Sequence, residues 1–243
     1  MNRLLTVAAV LSLPLTLTAC NSSSTPSALK SPSANPTPAP TPTVTPVTGD
    51  DKQRAAAIQL TASDLPSGWQ SQKITTTAKE QQEEDAFFDG CLGVPTIEDV
   101  ETASDHVEFG RSDGFAFADS LINVAKDESL AQQYQAALAG AKTPDCVESD
   151  AKKFFKAPKD TTIKSIVASK LTVPEPGFGY RVVVTLHLEA KDRDLSLTID
   201  TFGVVVKRFI VQVTFDGVIQ PIQQSLEDSV TAKVFARAIA NAA

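Results

Sequence analysis

The clearest pattern of hydrophobic and polar positions lies in the C-terminal half of the chain, where apolar side chains alternate with polar ones. From Tyr180 to Leu188, every second residue is apolar, and most residues between them are polar. This alternation is typical of an antiparallel strand with one buried face, which we predict over residues 178–190. Three similar segments predict further strands, at residues 162–173, 194–202 and 204–215. The links at 191–194 and 202–203 are too short for parallel crossovers, so the four strands are expected to form a meander.

Two more strands are predicted near the middle of the chain, at residues 106–109 and 115–124. The five residues between them, Gly110 to Gly114, contain the glycines and the aspartate that favour a tight hairpin turn. The same five residues match the G-x-S-x-G nucleophile elbow of serine hydrolases, with Ser112 as the nucleophile. An elbow requires a helix after the serine, whereas a strand is predicted here. We therefore favour the hairpin and keep an envelope hydrolase that uses Ser112 as the alternative.

Apolar residues at helical spacing predict several helices. A short helix is expected over residues 54–61, a longer one over 127–140, and another from Pro144 to Phe155. The C-terminal residues 221–241 carry one apolar stripe, formed by Ile222, Leu226, Val230, Val234, Ala238 and Ile239. Helices before, between and after antiparallel strands indicate one α+β domain over residues 51–243, with a sheet of about five to seven strands and helices on one or both faces.

The segment 77–90 is polar and acidic and is predicted to form an exposed loop that leads to Cys91. Its acidic residues are Glu83, Glu84, Asp85 and Asp89. They lack the alternating oxygen ligands and the central glycine of a calcium-binding loop, so we favour a solvated surface over a calcium site.

The chain has two histidines, His106 and His187, which are too far apart in sequence to form an H-E-x-x-H zinc motif. No metal or cofactor is expected, and nothing selects a carboxylate pair for glycoside hydrolysis.

Composition and charge exclude some classes of protein. The chain is 42% hydrophobic and 21% charged, which fits a globular domain and not a wholly disordered chain. Its net charge is −7, and no basic run is longer than Lys152–Lys153. Nucleic-acid binding usually requires a basic cluster, so a nucleic-acid partner is not expected.

The N-terminus has the pattern of an export signal. A positive start with Arg3 precedes an apolar run over residues 4–17, which is too short to span a membrane. The following Leu17-Thr18-Ala19-Cys20 resembles the lipobox of bacterial lipoproteins. That resemblance implies that residues 1–19 are a signal peptide and that Cys20 carries lipid, palmitate included, which anchors the chain at the outer face of the cytoplasmic membrane. An ordinary secreted protein is the alternative.

The segment from residue 20 to residue 50 is predicted to be a disordered linker. Seven of the chain's 15 prolines lie there, among serine, threonine and alanine. This composition cannot build a core and favours extended polyproline II structure. We expect a stalk between the lipid anchor and the domain, either as a bare spacer or with O-glycosylation.

Two cysteines, Cys91 and Cys146, remain beyond the anchor. Export implies oxidising surroundings, so the economical prediction is one disulfide between them. A redox or metal pair is the disfavoured alternative, since neither cysteine lies in a C-x-x-C motif or beside a histidine.

Adjacent aromatic residues are candidate binding residues. They occur at Phe87-Phe88, Phe154-Phe155 and Phe178-Gly179-Tyr180. Near loops, one ring of such a pair is expected to point inward and the other outward. We favour rings that fill the core; the alternative is that Phe87, Phe88, Phe178 and Tyr180 line an apolar ligand cleft or a partner surface.

The order of these features resembles a known group of proteins. The segment from Leu60 to Trp69 follows a short Ala-rich helix and precedes Cys91, Ile122-Asn123-Val124, Cys146, several strands and a closing helix. This arrangement resembles actinobacterial cell-envelope lipoproteins, some of which are similar to the extracellular sensor domains of mycobacterial serine/threonine kinases. The resemblance implies a PsbP-like or related α/β/α sandwich. The kinase sensor domains carry two disulfides, whereas this chain can form one.

These observations lead to three hypotheses about function. We favour a surface-anchored, non-enzymatic binding or sensor-like module that recognises a small apolar ligand or an envelope protein. The second hypothesis is the envelope hydrolase, which requires a helix after Gly114. The third is a structural or assembly factor, which predicts a flat apolar patch in place of a cleft.

Overall fold

The computed structural model describes residues 46–72, 78–94, 100–102 and 107–242 of the chain. Within these ranges, an eight-stranded antiparallel sheet carries helices on both faces. The α+β fold predicted from the sequence is therefore confirmed. The signal peptide, Cys20, His106 and most of the linker lie outside the described residues.

The elements follow one another in a mixed order. The helices are α1 (Asp51–Ile58), α2 (Ala78–Leu92), α3 (Glu128–Leu138), α4 (Thr143–Phe154) and α5 (Gln224–Asn241). The strands are β1 (Trp69–Gln72), β2 (Val100–Thr102), β3 (Val107–Arg111), β4 (Ala116–Ala125), β5 (Thr161–Lys170), β6 (Phe178–Leu188), β7 (Arg193–Val206) and β8 (Phe209–Val218). The strand order is β1-β3-β4-β8-β7-β6-β5, and β2 pairs with β4 beside β3. The β3–β4 hairpin and the β5–β8 meander are as predicted, and β8 joins the two by pairing with β4.

The sheet separates two hydrophobic layers. On one face, Ile58 of α1 and Val230 and Val234 of α5 pack against the sheet, and we call it the α1/α5 face. On the other, α2, α3 and α4 contribute side chains such as Leu130 and Val147, and we call it the α2–α4 face. The molecule thus has the three layers of an α/β/α sandwich.

Local capping explains where the first helices begin. Asp50 caps α1 in a capping box with Gln53, so this helix starts three residues earlier than predicted. Asp127 caps α3 by accepting a hydrogen bond from the Leu130 amide at 2.8 Å.

The amide of Val47 donates to the side-chain oxygen of Asn241 at 2.7 Å, so the last residues assigned to the linker already contact the end of α5.

The predicted loop over residues 77–90 is wrong, because α2 occupies this segment. Its Glu, Gln and Lys residues make it polar, but these residues and its alanines also have high helix propensity. Phe88 is buried and packs in the hydrophobic layer of the α2–α4 face. We took a solvated helix with one short apolar edge for a loop, because the polar residues hide its periodicity.

The bond between Cys91 and Cys146 is present, with a Cα–Cα distance of 5.6 Å. It joins the end of α2 to the first turn of α4. The two cysteines are 55 residues apart in sequence. Closing a loop of this length stabilises a fold by about 4 kcal/mol in the chain-entropy model. The bond therefore holds the end of α2 against the start of α4.

The predicted turn at residues 202–203 is also wrong, because both residues lie inside β7. Gly203 pairs with Phe178 of β6, and a β-carbon on Gly203 would come within 2.0 Å of a ring carbon of Phe178. The glycine therefore makes room for an aromatic ring on the neighbouring strand and does not mark a turn. The chain turns at Lys207 and Arg208, where Lys207 has a φ of 51°.

The apolar stripe of the last helix is confirmed except at one position. Val230, Val234 and Ala238 are completely buried at intervals of four residues. Ile239 is 64% exposed, so its assignment to the stripe is wrong. It follows Ala238 directly and is turned about 100° around the helix axis, away from the sheet.

We predict that Gly203→Ala destabilises the protein by roughly 1–3 kcal/mol, because the added methyl group overlaps the ring of Phe178. The matched control is Gly90→Ala in α2, where a β-carbon would have no neighbour within 4 Å. Alanine has the higher helix propensity, so the control should be unchanged or more stable by up to about 1 kcal/mol. Chemical denaturation of both variants measures the difference. Equal stability of Gly203→Ala and the natural chain would contradict the packing described here.

Candidate functional site

A row of polar side chains crosses the α2–α4 face of the sheet. Glu108 lies opposite Asp119, Asp119 opposite Thr214, Thr214 opposite Thr201, and Thr201 opposite Tyr180. Directly paired residues point to the same face of a sheet. The register therefore places one side chain from each of five strands in a row across the sheet. With three polar neighbours on the same face, they form a group that we call the polar band. Its members are Glu108, Asp119, Asn123, Tyr180, Thr201, Gln212, Thr214 and Asp216.

The alternation along β8 shows why the band lies on this face. Val211, Val213 and Phe215 pack in the α1/α5 layer, so Gln212 and Thr214 between them must point to the opposite face. This signal was available in the sequence. It does not show that β4 lies beside β8, however, so the row across the sheet could not be predicted from it.

The band is buried to an extent that is unusual for charged side chains. Asp216 is 1% exposed, Glu108 3% and Asp119 4%. Carboxylates are seldom buried so deeply, because removing a charge from water costs free energy that apolar residues would not cost. Three of them on one sheet face make this face a candidate for recognition, since buried charges often stabilise a fold no better than apolar residues do.

The helices cover the middle of this face incompletely. Leu121, Asn123, Gln212 and Thr214 are half-buried there. On the α1/α5 face of the same two strands, Ile122 and Val213 are completely buried. These four side chains are thus a part of this face that solvent reaches when only the described residues are considered, and we call this area the opening.

The band offers hydrogen-bonding groups of every type. Its carboxylates accept, the amides of Asn123 and Gln212 both donate and accept, and its hydroxyls do either. The hydroxyl oxygens of Thr201 and Thr214 lie 3.4 Å apart. Such a mixture suits a ligand with many polar groups and not an aliphatic one.

The four aromatic residues singled out from the sequence do not share one open cleft in the described structure. Phe88, Phe178 and Tyr180 are 6, 0 and 2% exposed and lie in the hydrophobic layer of the α2–α4 face. Phe87 is half-buried, and its ring packs edge to face with Phe154 at 5.7 Å. These positions support the core-filling interpretation, although Tyr180 also belongs to the polar band.

The serine-hydrolase alternative is wrong. Ser112 lies in the turn between β3 and β4, and the strand β4 follows it where an elbow requires a helix. The turn is held by Asp113, which accepts hydrogen bonds from Arg111 at 2.8 Å and from the Phe115 amide at 3.0 Å. His187 contacts Asp194 at 2.9 Å, but it lies on β6, and three strands separate β6 from β3.

A small cavity opens at one end of the sheet, between the β3–β4 turn and the connection from β8 to α5. Its volume is about 230 Å³. Its lining includes Arg111, Phe115, Ile219, Pro221 and Gln223. Because pockets for small molecules usually measure roughly 300–1,000 Å³, we do not assign the main ligand site to it.

Two features are absent from the described residues. These residues include no cluster of three or more histidine, cysteine, aspartate or glutamate side chains that is arranged to bind a metal ion. Within the same ranges, no helix is both long and apolar enough to cross a membrane.

A separate charged cluster lies on the α1/α5 face. Arg181 of β6 donates two hydrogen bonds to Asp200 of β7, both at 2.6 Å. Glu227 of α5 lies beside them and is 1% exposed. Burial raises the pKa of Glu227 to about 8, and the negative charge of Asp200 adds to the effect. Glu227 therefore keeps its proton at neutral pH, and the Arg181–Asp200 pair stays balanced.

Comparison with known proteins gave likenesses among solved structures alone. No protein-family model matches the chain, and no curated protein matches it. Among solved structures, the extracellular domain of PknH from Mycobacterium tuberculosis aligns with 79% of this chain and 97% of that domain. The TM-score is 0.43 and the sequence identity 12%. A likeness at this identity and TM-score does not indicate a function. The function is therefore inferred from the residues of this chain.

We predict that Glu227→Gln weakens the pH dependence of stability. An ordinary glutamate titrates near 4.5, whereas the pKa of Glu227 is raised to about 8 in the folded protein. Between these values the unfolded chain loses a proton that the folded chain keeps, so the free energy of unfolding falls as pH rises, by up to about 1.4 kcal/mol per pH unit. Glutamine has no such proton, so the variant should lose less stability between pH 5 and pH 8.

Urea denaturation at several pH values measures this slope. The charged groups around Glu227 are Asp200 of β7, Arg181 of β6 and Asp228 of α5, and the variant leaves all three in place. Glu128→Gln, at an exposed glutamate of α3 away from this cluster, is the control and should keep the slope of the natural chain. The same slope in Glu227→Gln and the natural chain would contradict the assignment.

Proposed function

We propose that this chain is a non-enzymatic binding module that is held at the outer face of the cytoplasmic membrane and binds a small polar ligand at the polar band. The observation that carries the proposal is the band itself. Eight polar side chains share one sheet face beneath a helical layer that leaves Asn123, Gln212 and Thr214 half-buried.

The chemistry of the band indicates what kind of ligand it binds. The sequence led us to expect an apolar ligand or an envelope protein as partner. The residues that reach the opening are amides and hydroxyls, with carboxylates behind them, which favours a hydroxylated or amide-containing small molecule. Leu121, also half-buried, supplies an apolar contact at the edge of the opening.

One observation favours a second candidate function. Glu108 and Asp119 lie directly opposite each other on β3 and β4, and residues in such pairs have β-carbons about 4.5–5.5 Å apart. Two carboxyl groups at short separation are the usual requirement for glycoside hydrolysis. We favour binding because both acids are almost completely buried, behind the half-buried amides and hydroxyls that reach the opening.

The proposed location rests on the sequence. The lipobox at Leu17–Cys20 supports lipid attachment to Cys20 after removal of residues 1–19. The Pro-rich segment 20–50 would then hold the domain, residues 51–243, away from the membrane. In this arrangement the domain meets its ligand on the outer side of the membrane.

We expect the Gln212 side-chain amide and the Thr214 methyl group to report ligand binding by NMR. The full chain, labelled and purified in mild detergent, is titrated with a polar extract of the envelope of the producing cells. Both signals should shift, and the double variant Gln212→Ala/Thr214→Val should lose the response of the whole protein. Thr185→Val is the matched control, because Thr185 is also half-buried but lies on the α1/α5 face of β6. The control should respond as the natural chain does.

Two results would count against the proposal. Shifts confined to the α1/α5 face, or an equal loss in the control, would place the site elsewhere. Hydrolysis would be supported in place of binding if the natural chain released a polar ligand in cleaved form and Glu108→Gln released it intact.

We predict that Cys20→Ser abolishes lipid attachment. Labelled palmitate fed to the producing cells should enter the natural chain and not this variant, because the thioether to the lipid needs the cysteine sulfur. The matched control is the double variant Cys91→Ser/Cys146→Ser, which removes the disulfide but should retain the label. Label in Cys20→Ser would show that the anchor lies at another residue.

A further inference from the structure

The small cavity between the β3–β4 turn and the connection from β8 to α5 has one charged residue in its lining, Arg111. The other lining residues are uncharged, and they include the amides Gln220 and Gln223 and the apolar Pro221 and Ile222. The whole chain has a net charge of −7, so a lining whose one charge is positive differs from the average of the molecule. A cationic group beside apolar walls suits a ligand that has both a negative charge and an apolar part.

The Arg111 side chain lies on the α1/α5 face of the sheet. Arg111 pairs with Trp69 between β3 and β1, and Trp69 packs in the apolar layer of the α1/α5 face. Directly paired residues point to the same face of a sheet. The cavity reaches this layer at Ala116 and Ile222, which both belong to it. The guanidinium group of Arg111 is therefore on the side of the sheet where the cavity lies.

Arg111 has hydrogen-bond donors to offer a ligand. Its Nε donates to Asp113 at 2.8 Å, and its two terminal nitrogens donate to no other described residue. The side chain is 42% exposed, so these nitrogens are accessible to solvent. A guanidinium group can hold a carboxylate through two parallel hydrogen bonds. Arg111 can therefore accept a second carboxylate besides that of Asp113.

Ile219, which also lines the cavity, has a backbone conformation that isoleucine rarely adopts. Its φ is 76°, in the left-handed region where a β-branched side chain is unfavourable. Glycine would adopt this conformation without strain. The Ile219 side chain is 45% exposed, so its burial contributes little to either apolar layer. Strained residues of this kind are found at ligand sites, and a role as a wall of the cavity would explain why isoleucine stands here.

The volume of the cavity limits the size of its ligand. The cavity measures about 230 Å³. A water molecule occupies roughly 30 Å³ in the liquid, so the cavity has room for roughly eight groups of that size. This is the size of a small organic acid, and it is below that of most drug-sized ligands.

We propose that this cavity binds a small carboxylate that has a short, branched apolar chain. The carboxylate accepts hydrogen bonds from the terminal nitrogens of Arg111, and the apolar chain packs against Ile219 and Ile222. Gln220 and Gln223 are exposed and can donate further hydrogen bonds to the carboxylate. This inference goes beyond the proposed function, because no lining residue of the cavity belongs to the polar band.

The test is an NMR titration of the full chain, labelled and purified in a mild non-ionic detergent, with 4-methylpentanoate at pH 7. The matched probe is 4-methylpentanamide, which has the same shape and no charge. The methyl signals of Ile219 should shift with the acid, with a dissociation constant in the millimolar range, since ligands of this size make few contacts. The amide should bind at least about fivefold more weakly, because it forms no charge-assisted pair with Arg111.

Two variants of the Arg111–Asp113 pair should change the affinity in opposite directions. Arg111→Met should weaken binding of the acid at least about fivefold, because it removes the cation. Asp113→Asn should tighten it, since it removes a competing carboxylate, and its side-chain oxygen can still accept from the Phe115 amide. A purely structural role for the pair would not give opposite effects. Arg193→Met, at an exposed arginine of β7 outside the cavity lining, is the control and should bind as the natural chain does.

Ile219→Gly tests the role of the strained residue. It should weaken binding of the acid by about threefold, because it removes an apolar wall of the cavity. The midpoint of urea denaturation should stay the same or rise, since glycine relieves the strain at this position. A clearly lower midpoint with unchanged affinity would show that Ile219 serves the fold and would contradict its assignment to the site.

Several outcomes would overturn the proposal. They are the absence of a shift at Ile219 with tens of millimolar acid, equal binding of the amide, weaker binding in Asp113→Asn, and equal weakening in Arg193→Met. Displacement of the acid by an equal concentration of inorganic phosphate would also overturn it, because the apolar chain would then contribute nothing. Weaker binding in Arg111→Met together with tighter binding in Asp113→Asn would support it.

Discussion

The antiparallel register of β4, β8 and β7 sends successive side chains to opposite faces of the sheet, and most features of this molecule depend on it. Odd-numbered residues of β8, such as Val213 and Phe215, complete the apolar layer under α5. The even-numbered Gln212, Thr214 and Asp216 are thereby directed to the other face. A shift of one residue would place these polar groups under α5, so the apolar layer fixes the polar band in position.

The charged side chains buried on the two faces of the sheet have different surroundings. On the α1/α5 face, Asp200 is neutralised by Arg181, and the neighbouring Glu227 retains a proton. The charge of each of these groups is thus neutralised by another group of the protein or by a proton, as expected for a layer with a structural role. On the α2–α4 face, the polar side chains of Asn123, Gln212 and Thr214 are only half-buried beside the buried carboxylates of the polar band. This asymmetry is our main reason for assigning ligand recognition to the α2–α4 face.

Features set by local sequence were predictable, and features set by distant pairing were not. The β3–β4 hairpin, the meander, α3, α4 and the disulfide follow from alternation, helical spacing and a forced cysteine pairing. The role of Gly203 depends on the ring of Phe178 across the sheet, so the sequence around the glycine suggested a turn. The polar band needs β4 beside β8, a pairing between strands far apart in the chain that no local pattern reveals. Helix α2 was missed for a different reason, since its apolar edge is too short to show a period.

The central claim is that the α2–α4 face of the sheet binds a small polar molecule. A crystal structure of the chain, purified without refolding from an envelope-producing host, tests it most directly. The account predicts electron density for a ligand, or an ordered cluster of waters in its place, in contact with Gln212 and Thr214. Helices closed tightly over these two residues, with every polar group of the band hydrogen-bonded to another protein group, would contradict it.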